Sequence, residues 1–413
     1  MNIEQFIAKR LNKKNTKKQY SKSITKLCIL SISSCLAIII ISICTGRGLE
    51  KEIKKNLSSI NSSITIENYY NLNSENFIKN KYISIEDSTL KEIQNIGNVK
   101  SINKVISTFA ILSNKNDFVG IILNGLKGSS QKKYLNDKII SGRKPINKFE
   151  ILISKFQSDK LGLNLNDTIL SSFLRKNKYE YNDTHSKLTV CGIYQTEIEN
   201  FDKNLCFTNY EYLRKKLKLN DKVSYYQVFL KDINKFKEVN YVINNKIHDI
   251  KNNYEIKSFS INEKYPNIFN WISLFKKNII LITIIMLTVC LINISIFLIV
   301  MVVERSQMIG VLKSFGGSNF QIVKIFFYRS INIVFKGLFF GNFFGFLVCT
   351  AQKKFKIIKL NPESYFVNEI PIYFDFYSIF LSNLLIFVLI PIAIIIPYIK
   401  ISKLTISNSL KIK

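Results

Sequence analysis

Residues 300–324 read VMVVERSQMIGVLKSFGGSNFQIVK: a long uncharged segment ends at Glu304-Arg305 and gives way to a short amphipathic pattern. Met308, Val311, Leu312 and Phe315 fall at i, i+3, i+4 and i+7, the spacing of one apolar helical face. Glu304 stands at its start and Lys313 near its end, where each charge suits the helix dipole. Gly316-Gly317 supplies a left-handed stop, and Ser318 or Asn319 can cap a second helix running through Phe320, Val323 and Phe327. A connector that only joined two membrane spans could be a few polar residues. A structured foot is what a domain needs in order to be pushed by another protein.

The flanking hydropathy supplies the membrane. Leu27–Gly46, Asn278–Val303 and Phe376–Ile399 carry no charge, and Ser330–Gln352 carries only Lys336. About 20 apolar helical residues cross a hydrocarbon core of roughly 30 Å, so four transmembrane helices are expected. Lys336 lies near the start of its span, where its side chain can snorkel to the interface. The chain of 413 residues then divides into 1–46, a basic amphipathic segment with the first helix; 47–277, a large domain; and 278–413, a permease-like segment with helices 2–4.

Orientation follows from Lys and Arg in the short segments. Residues 1–26 hold eight, 304–329 hold four and the tail after Ile399 holds four, while 353–375 holds four with three acids. Both termini and the 304–329 connector are therefore expected in the cytoplasm, with 47–277 outside. The first hydrophobic run exceeds a signal peptide's apolar core and no A-x-A site follows, which favours an uncleaved anchor. Ile32-Ser33-Ser34-Cys35 is only a faint likeness of a lipoprotein cleavage box, because ten apolar residues continue beyond it. Near the start, Ile3, Phe6, Ile7 and Leu11 share a helical face rimmed by Lys9, Arg10, Lys13 and Lys14, as in a helix on the inner leaflet or against a cytoplasmic partner.

The segment between the first two spans reads as an α+β domain: two βαβ units around a β-rich insert at roughly 113–223. In the first unit, Ser63–Ile66 is a strand, 88–96 a helix with Thr89 and Glu92 spaced as a capping box and Gly97 as its stop, and Val99–Leu112 a strand. In the second, Tyr225–Leu230 and Tyr254–Phe259 are strands around a helix begun at Asp232 and buried through Phe236, Val239, Ile243 and Ile247. The insert shows strands at Phe118–Leu123, Glu150–Ser154 and Leu188–Tyr194, and a short helix with Thr208 and Glu211 as another capping box. Cys191 and Cys206 lie outside, where a disulfide is permitted; the other five of the seven cysteines fall in spans.

The chemistry is mostly a record of exclusions. No G-x-x-x-x-G-K-[ST], H-E-x-x-H, C-x-x-C or G-x-S-x-G is present, so no catalytic residues, metal ligands or cofactor are assigned to this chain. Gly125–Ser130 and Asn182–Ser186 read as turns. A net charge of +30 raises nucleic acid as a partner, but Lys, Asn and Ile are abundant throughout and no basic face is interleaved with stacking aromatics. No acid or His lies within a span, which leaves proton-coupled transport little to work with. Gly337, Gly341 and Gly345 recur every four residues in the third span, a stripe that admits another helix, either from this subunit or from a second one.

One span, a large outside domain and three more spans resemble the MacB/FtsX-type ABC transporter permeases. The run Glu304 to Gly317 resembles their coupling helix, Asn361–Tyr365 with Glu369-Ile370-Pro371 their third loop, and Pro397–Leu410 their closing segment. Ile3–Arg10 resembles the N-terminus of the lipoprotein-releasing LolC/LolE branch. Many members carry an acid where this chain has Met308.

The resemblance implies an inner-membrane permease without its own ATPase. ATP would be bound by a separate cytoplasmic ATPase dimer gripping Glu304, Arg305, Met308, Val311, Leu312, Lys313, Phe315 and Gly316. A second permease subunit, same or sibling, membrane lipid, a lipoprotein substrate and a soluble periplasmic carrier are the other implied partners. Within the same fold a MacB-like exporter of drugs or peptides and an FtsX-like regulator of cell-wall hydrolases are the alternatives. The first commonly carries its ATPase on the same chain and the second has a smaller outside domain. From another class, a membrane-anchored sensor would signal without ATP.

Overall fold

The computed structural model describes residues 19–72, 82–114, 117–127, 135–136, 138–176, 181–196, 198–251, 255–361 and 365–403. The N-terminal amphipathic face and the second half of the closing segment lie outside these residues. Two compact units emerge, a helical one (1–50, 272–359 and 370–413) and an α+β one (51–271 with 360–369). Residues 360–369, which the sequence places in the permease segment, cluster with the α+β unit.

The elements in chain order are α1 (Gln19–Asn61), β1 (Ile64–Asn68), α2 (Asp87–Gln94), β2 (Val99–Asn114), β3 (Asp117–Lys127), β4 (Ile139–Gly142), β5 (Glu150–Ser154), α3 (Lys155–Leu161), β6 (Thr168–Lys176), β7 (Tyr181–Tyr194), β8 (Leu205–Asn209), α4 (Tyr210–Lys216), β9 (Tyr225–Leu230), α5 (Phe236–Lys251), β10 (Ile256–Ser260), α6 (Pro266–Glu304), α7 (Ser306–Ser314), α8 (Asn319–Phe355), α9 (Phe376–Ala393) and α10 (Ile395–Lys403). Among the described residues four helical stretches, Ser23–Asn61, Pro266–Glu304, Asn319–Phe355 and Phe376–Ile399, are long and apolar enough to cross a membrane.

In the α+β unit, β1 is antiparallel to both β10 and β9, and β9 to β2, so the order β10-β1-β9-β2 interleaves the two expected βαβ units. This is the split-βαβ, ferredoxin-like arrangement. Leu90 and Ile93 of α2 and Phe236, Val239, Ile243 and Ile247 of α5 share one core with Ile64, Ile66 and Val228 of the sheet. The insert continues the same sheet and then closes. Pairings run β2-β3-β8-β5-β7-β6 and back to β2, a six-stranded ring that leaves few free edges.

Local chemistry corrects several expected boundaries. Thr89 is not a cap: α2 starts at Asp87, two residues earlier, and Thr89 is buried inside it. Thr208 gives way to Asn209, whose side chain accepts from the N–H groups of Glu211 and Tyr212, while Thr208 Oγ1 donates to Glu150 O. Asp232 accepts from Asn234 N and opens a 3₁₀ turn before α5. Asn182–Ser186 is not a turn: it runs through β7 against β6, where pairing outweighs the local preference of Asn and Asp for turns. His185 Nδ1 accordingly meets Ser172 Oγ across the ladder at 2.8 Å. Gly125 likewise lies within β3, where a Cβ would stand 3.0 Å from Tyr210 Cα.

Cys191 and Cys206 are free buried thiols, and burial pushes Cys191 up to about 12. Cys191 Sγ donates to Ile151 O and Cys206 Sγ to Gln157 Oε1, so both are inert packing groups. The fourth expected span breaks at Ile394, because Pro397 has no N–H to donate to the carbonyl of Ala393, four residues earlier, and its ring crowds that carbonyl.

Candidate functional site: the helical foot and the cavity at the far end

At the C-terminal end of α6, Glu304 is the last residue of the long helix and Arg305 the hinge, with α7 beginning at Ser306. Glu304 therefore precedes the short helix and does not occupy its first turn, as the sequence suggested. The end of α7 is a complete Schellman stop: Gly316 has φ +83°, its N–H donates to Lys313 O, and Gly317 N–H donates to Leu312 O at 2.9 Å. Ser318 then caps α8 through a capping box with Gln321. These two caps fix the corner between α7 and α8, whereas Arg305, between α6 and α7, makes no side-chain cap.

The expected apolar face divides in two. Ile309 and Gly310 are buried, and Met308 and Leu312 pack on the helical core, whereas Val311 is 44% exposed and Phe315 85% exposed. Phe320, at the start of α8, is 73% exposed. The sequence missed Ile309 as the anchor because its stripe was drawn through Met308, one residue away. Lys313 Nζ donates to Ile401 O at 2.8 Å, tying α7 to the last turn of α10. This end thus offers a rigid short helix with exposed apolar side chains, Val311 and Phe315, and a third, Phe320, beside it.

The glycine stripe is used within the unit. A Cβ at Gly337 would stand 2.7 Å from Ile32 Cγ2, one at Gly341 2.9 Å from Leu36 Cβ, and one at Gly345 3.1 Å from Ile40 Cβ. Three small residues of α8 thus seat three large ones of α1 at matching four-residue intervals. Of the two readings left open by the sequence, packing within the subunit is the one observed. Lys336, beside the stripe, is exposed. Asn342 and Asn383 exchange amide hydrogen bonds at 2.8 and 3.2 Å between α8 and α9, and Asn293 bonds Ser31 between α6 and α1. These were legible as amides in otherwise apolar spans, where an unpaired amide is costly.

At the opposite end of the helical unit, α1, α6 and α9 line an open cavity of about 580 Å³. Its wall is apolar, with Ile279, Ile284, Leu287, Leu381 and Leu385, and its rim is charged. Lys276 Nζ meets Glu50 at 2.8 Å, and Arg47 meets Asp375 at 3.1 Å and Glu50 at 3.8 Å. The Ser378 hydroxyl and then Arg47 hold the Asp375 carboxyl below its ordinary range. A volume of this size takes a small ligand or part of a lipid chain. Among the described residues no cluster suits a metal ion.

Residues 280–406, which carry α7, the glycine stripe and most of the cavity wall, match the FtsX-like permease C-terminal family. The chain carries an FtsX-like permease domain. The permease is also similar along most of its length to proteins named lipoprotein-releasing system transmembrane protein LolC from Buchnera aphidicola. It is 28% identical to that of subsp. Schizaphis graminum (strain Sg) over 383 residues, 88% of each chain. It is 26% identical to that of subsp. Acyrthosiphon pisum (strain APS) over 408 residues, 92% of each chain. Among solved structures it matches the periplasmic region of MacB from Actinobacillus actinomycetemcomitans at 14% identity, covering 53% of the permease and 98% of that chain with a TM-score of 0.35.

Proposed function

We propose that this permease is the membrane subunit of an ABC transporter that releases lipoproteins from the inner membrane to a soluble periplasmic carrier. In this reading ATP is bound and hydrolysed by a separate cytoplasmic ATPase dimer docked on Val311, Phe315 and Phe320. Glu304, Arg305, Met308, Leu312, Lys313 and Gly316 set the position of that surface. The termini face the cytoplasm and the α+β domain the periplasm. A second permease subunit completes the complex.

The observation that carries the reading is the likeness to LolC-named proteins over 88% of both chains. The cavity supports it, because an apolar chamber with a charged rim suits a molecule with acyl chains and a polar head. Stripping a lipid with roughly 30 chain carbons from the bilayer costs about 24 kcal/mol at ~0.8 kcal/mol per CH₂, so both a motor and a receiving chamber are needed.

The test is release of an acylated lipoprotein from proteoliposomes holding the permease and its ATPase, with ATP and carrier present. Thr283→Trp, which fills the cavity, should cut release at least tenfold while the ATPase still co-purifies. ATP turnover without any release in the unaltered complex would sink the proposal.

A further inference from the structure

At the α7 end of the helical unit, Arg305 and Arg329 line one small cavity of about 30 Å³ together with Thr25, Met301 and Glu304. The two guanidinium groups are close enough to repel one another. Each is half-buried, and among the described residues neither makes an ion pair or side-chain hydrogen bond. Glu304 lines the same cavity without reaching either arginine in an ion pair, and it is the one acid between residues 272 and 359.

Two half-buried cations facing a common space repel each other and have lost part of their hydration. They need an anion. A volume near 30 Å³ admits a single oxygen-sized group, so an oxyanion enters by one oxygen while its remainder stays at the mouth. Arginine pairs favour phosphate, whose oxygens match the guanidinium fork. The mouth opens where α6 ends, at the level at which a membrane-spanning helix meets headgroups, and Val303 beside it is 49% exposed and apolar. A basic pocket between helices at that level fits an anionic lipid headgroup.

We infer that Arg305 and Arg329 form a phosphate site for an anionic phospholipid of the leaflet adjoining α7. The inference is independent of which cargo the permease moves. It also gives Arg305 a role apart from motor contact: the hinge between α6 and α7 is held to the membrane by the lipid it binds.

The test uses the purified full-length permease in mixed micelles with phosphatidylglycerol or phosphatidylcholine of identical chains, or with sodium phosphate, and retained lipid is read by intact-protein mass spectrometry. Unaltered protein should retain phosphatidylglycerol about thirtyfold over phosphatidylcholine. That is about 2 kcal/mol at 1.4 kcal/mol per decade, the attraction of two basic side chains. Arg305→Gln/Arg329→Gln should bring the ratio within threefold, while Lys354→Gln at the far end of α8 should leave it unchanged. Glu304→Gln, which keeps both arginines, should raise the ratio even if the double variant folds poorly. Equal retention of both lipids, an unchanged ratio in the double variant, a fall in Glu304→Gln, or complete displacement of lipid by millimolar phosphate would each overturn the assignment.

Discussion

Replacing Gly337 by Ala places a methyl group 2.7 Å from Ile32 Cγ2 and 2.8 Å from Ile32 Cβ, closer than carbon atoms tolerate. The same change at Gly341 meets Leu36 Cβ at 2.9 Å and Ser33 O at 3.0 Å, and at Gly345 it meets Ile40 at 3.1 Å. Overpacking of this kind costs about 1–3 kcal/mol, and the graded distances set an order of cost, Gly337 above Gly341 above Gly345. Removing the opposing side chain should return part of that cost. Ile32→Ala deletes Cγ2 but keeps the Cβ, so the Gly337→Ala/Ile32→Ala pair should show a favourable coupling of about 1–2 kcal/mol. Gly345→Ala with Ile32→Ala should be additive, because those sites are two helical turns apart. Thermal unfolding of the detergent-solubilised permease measures all six variants. If Gly337→Ala and Ile32→Ala simply add, or if Gly337→Ala leaves the melting temperature unchanged but breaks subunit association, the stripe is not seated on α1.

Two further perturbations separate surface from scaffold. Phe315→Ala removes an exposed ring and should weaken ATPase co-purification at least tenfold with stability within about 0.5 kcal/mol, whereas Leu312→Ala, on the packed side, should cost about 1–3 kcal/mol; the reverse pattern would invert the assignment of faces. In the α+β unit, Glu150 accepts bonds from Arg143, Ile146 N, Asn147 N and Asn147 Nδ2, and chiefly the Arg143 bond lowers its carboxyl to about 2. A depressed carboxylate stabilises above its ordinary value of 4.5, and that stability fades as pH falls through 4.5 towards 2. Glu150→Gln should therefore cost about 1–3 kcal/mol at neutral pH and flatten the acid side of the stability profile followed by tryptophan fluorescence.

Spans and foot were legible because their signals are local. A run of uncharged residues from 278 to 303, a Gly316-Gly317 stop and a capping residue at Ser318 or Asn319 each declare themselves within a few residues. The two βαβ units could be read for the same reason, since Phe236, Val239, Ile243 and Ile247 repeat with helical period. Their interleaving could not, because β1 finds β9 and β10 more than 150 residues away and nothing local encodes that choice. The closed ring of the insert was hidden likewise. β6 pairs with β7 along nine residues and with β2 through Leu170–Ser172, and no local pattern in the sequence names those partners. At the foot the period was right and the phase was not: buried Ile309 lies one residue beyond Met308, and that step turns Val311 and Phe315 from the interior to the surface.

That change of phase makes the foot mechanically coherent. A helix buried along its whole apolar face would have nothing left for a partner to grip, and one exposed along that face would swing loosely on its hinges. In α7, Ile309 and Leu312 anchor one side while Val311 and Phe315 remain outside, and the Schellman stop, the Ser318 cap and the Lys313 bond to Ile401 fix its C-terminal end. A force applied at Phe315 is then borne by α6, α8 and α10 together, with little lost in bending the connector. Gly316 is the part of this device that no other residue replaces cheaply, since at φ +83° a side chain is strained whatever space surrounds it. Gly316→Ala should therefore loosen the stop and uncouple transport from ATP turnover more than it weakens ATPase binding, a separation that loss of the Phe315 contact cannot produce.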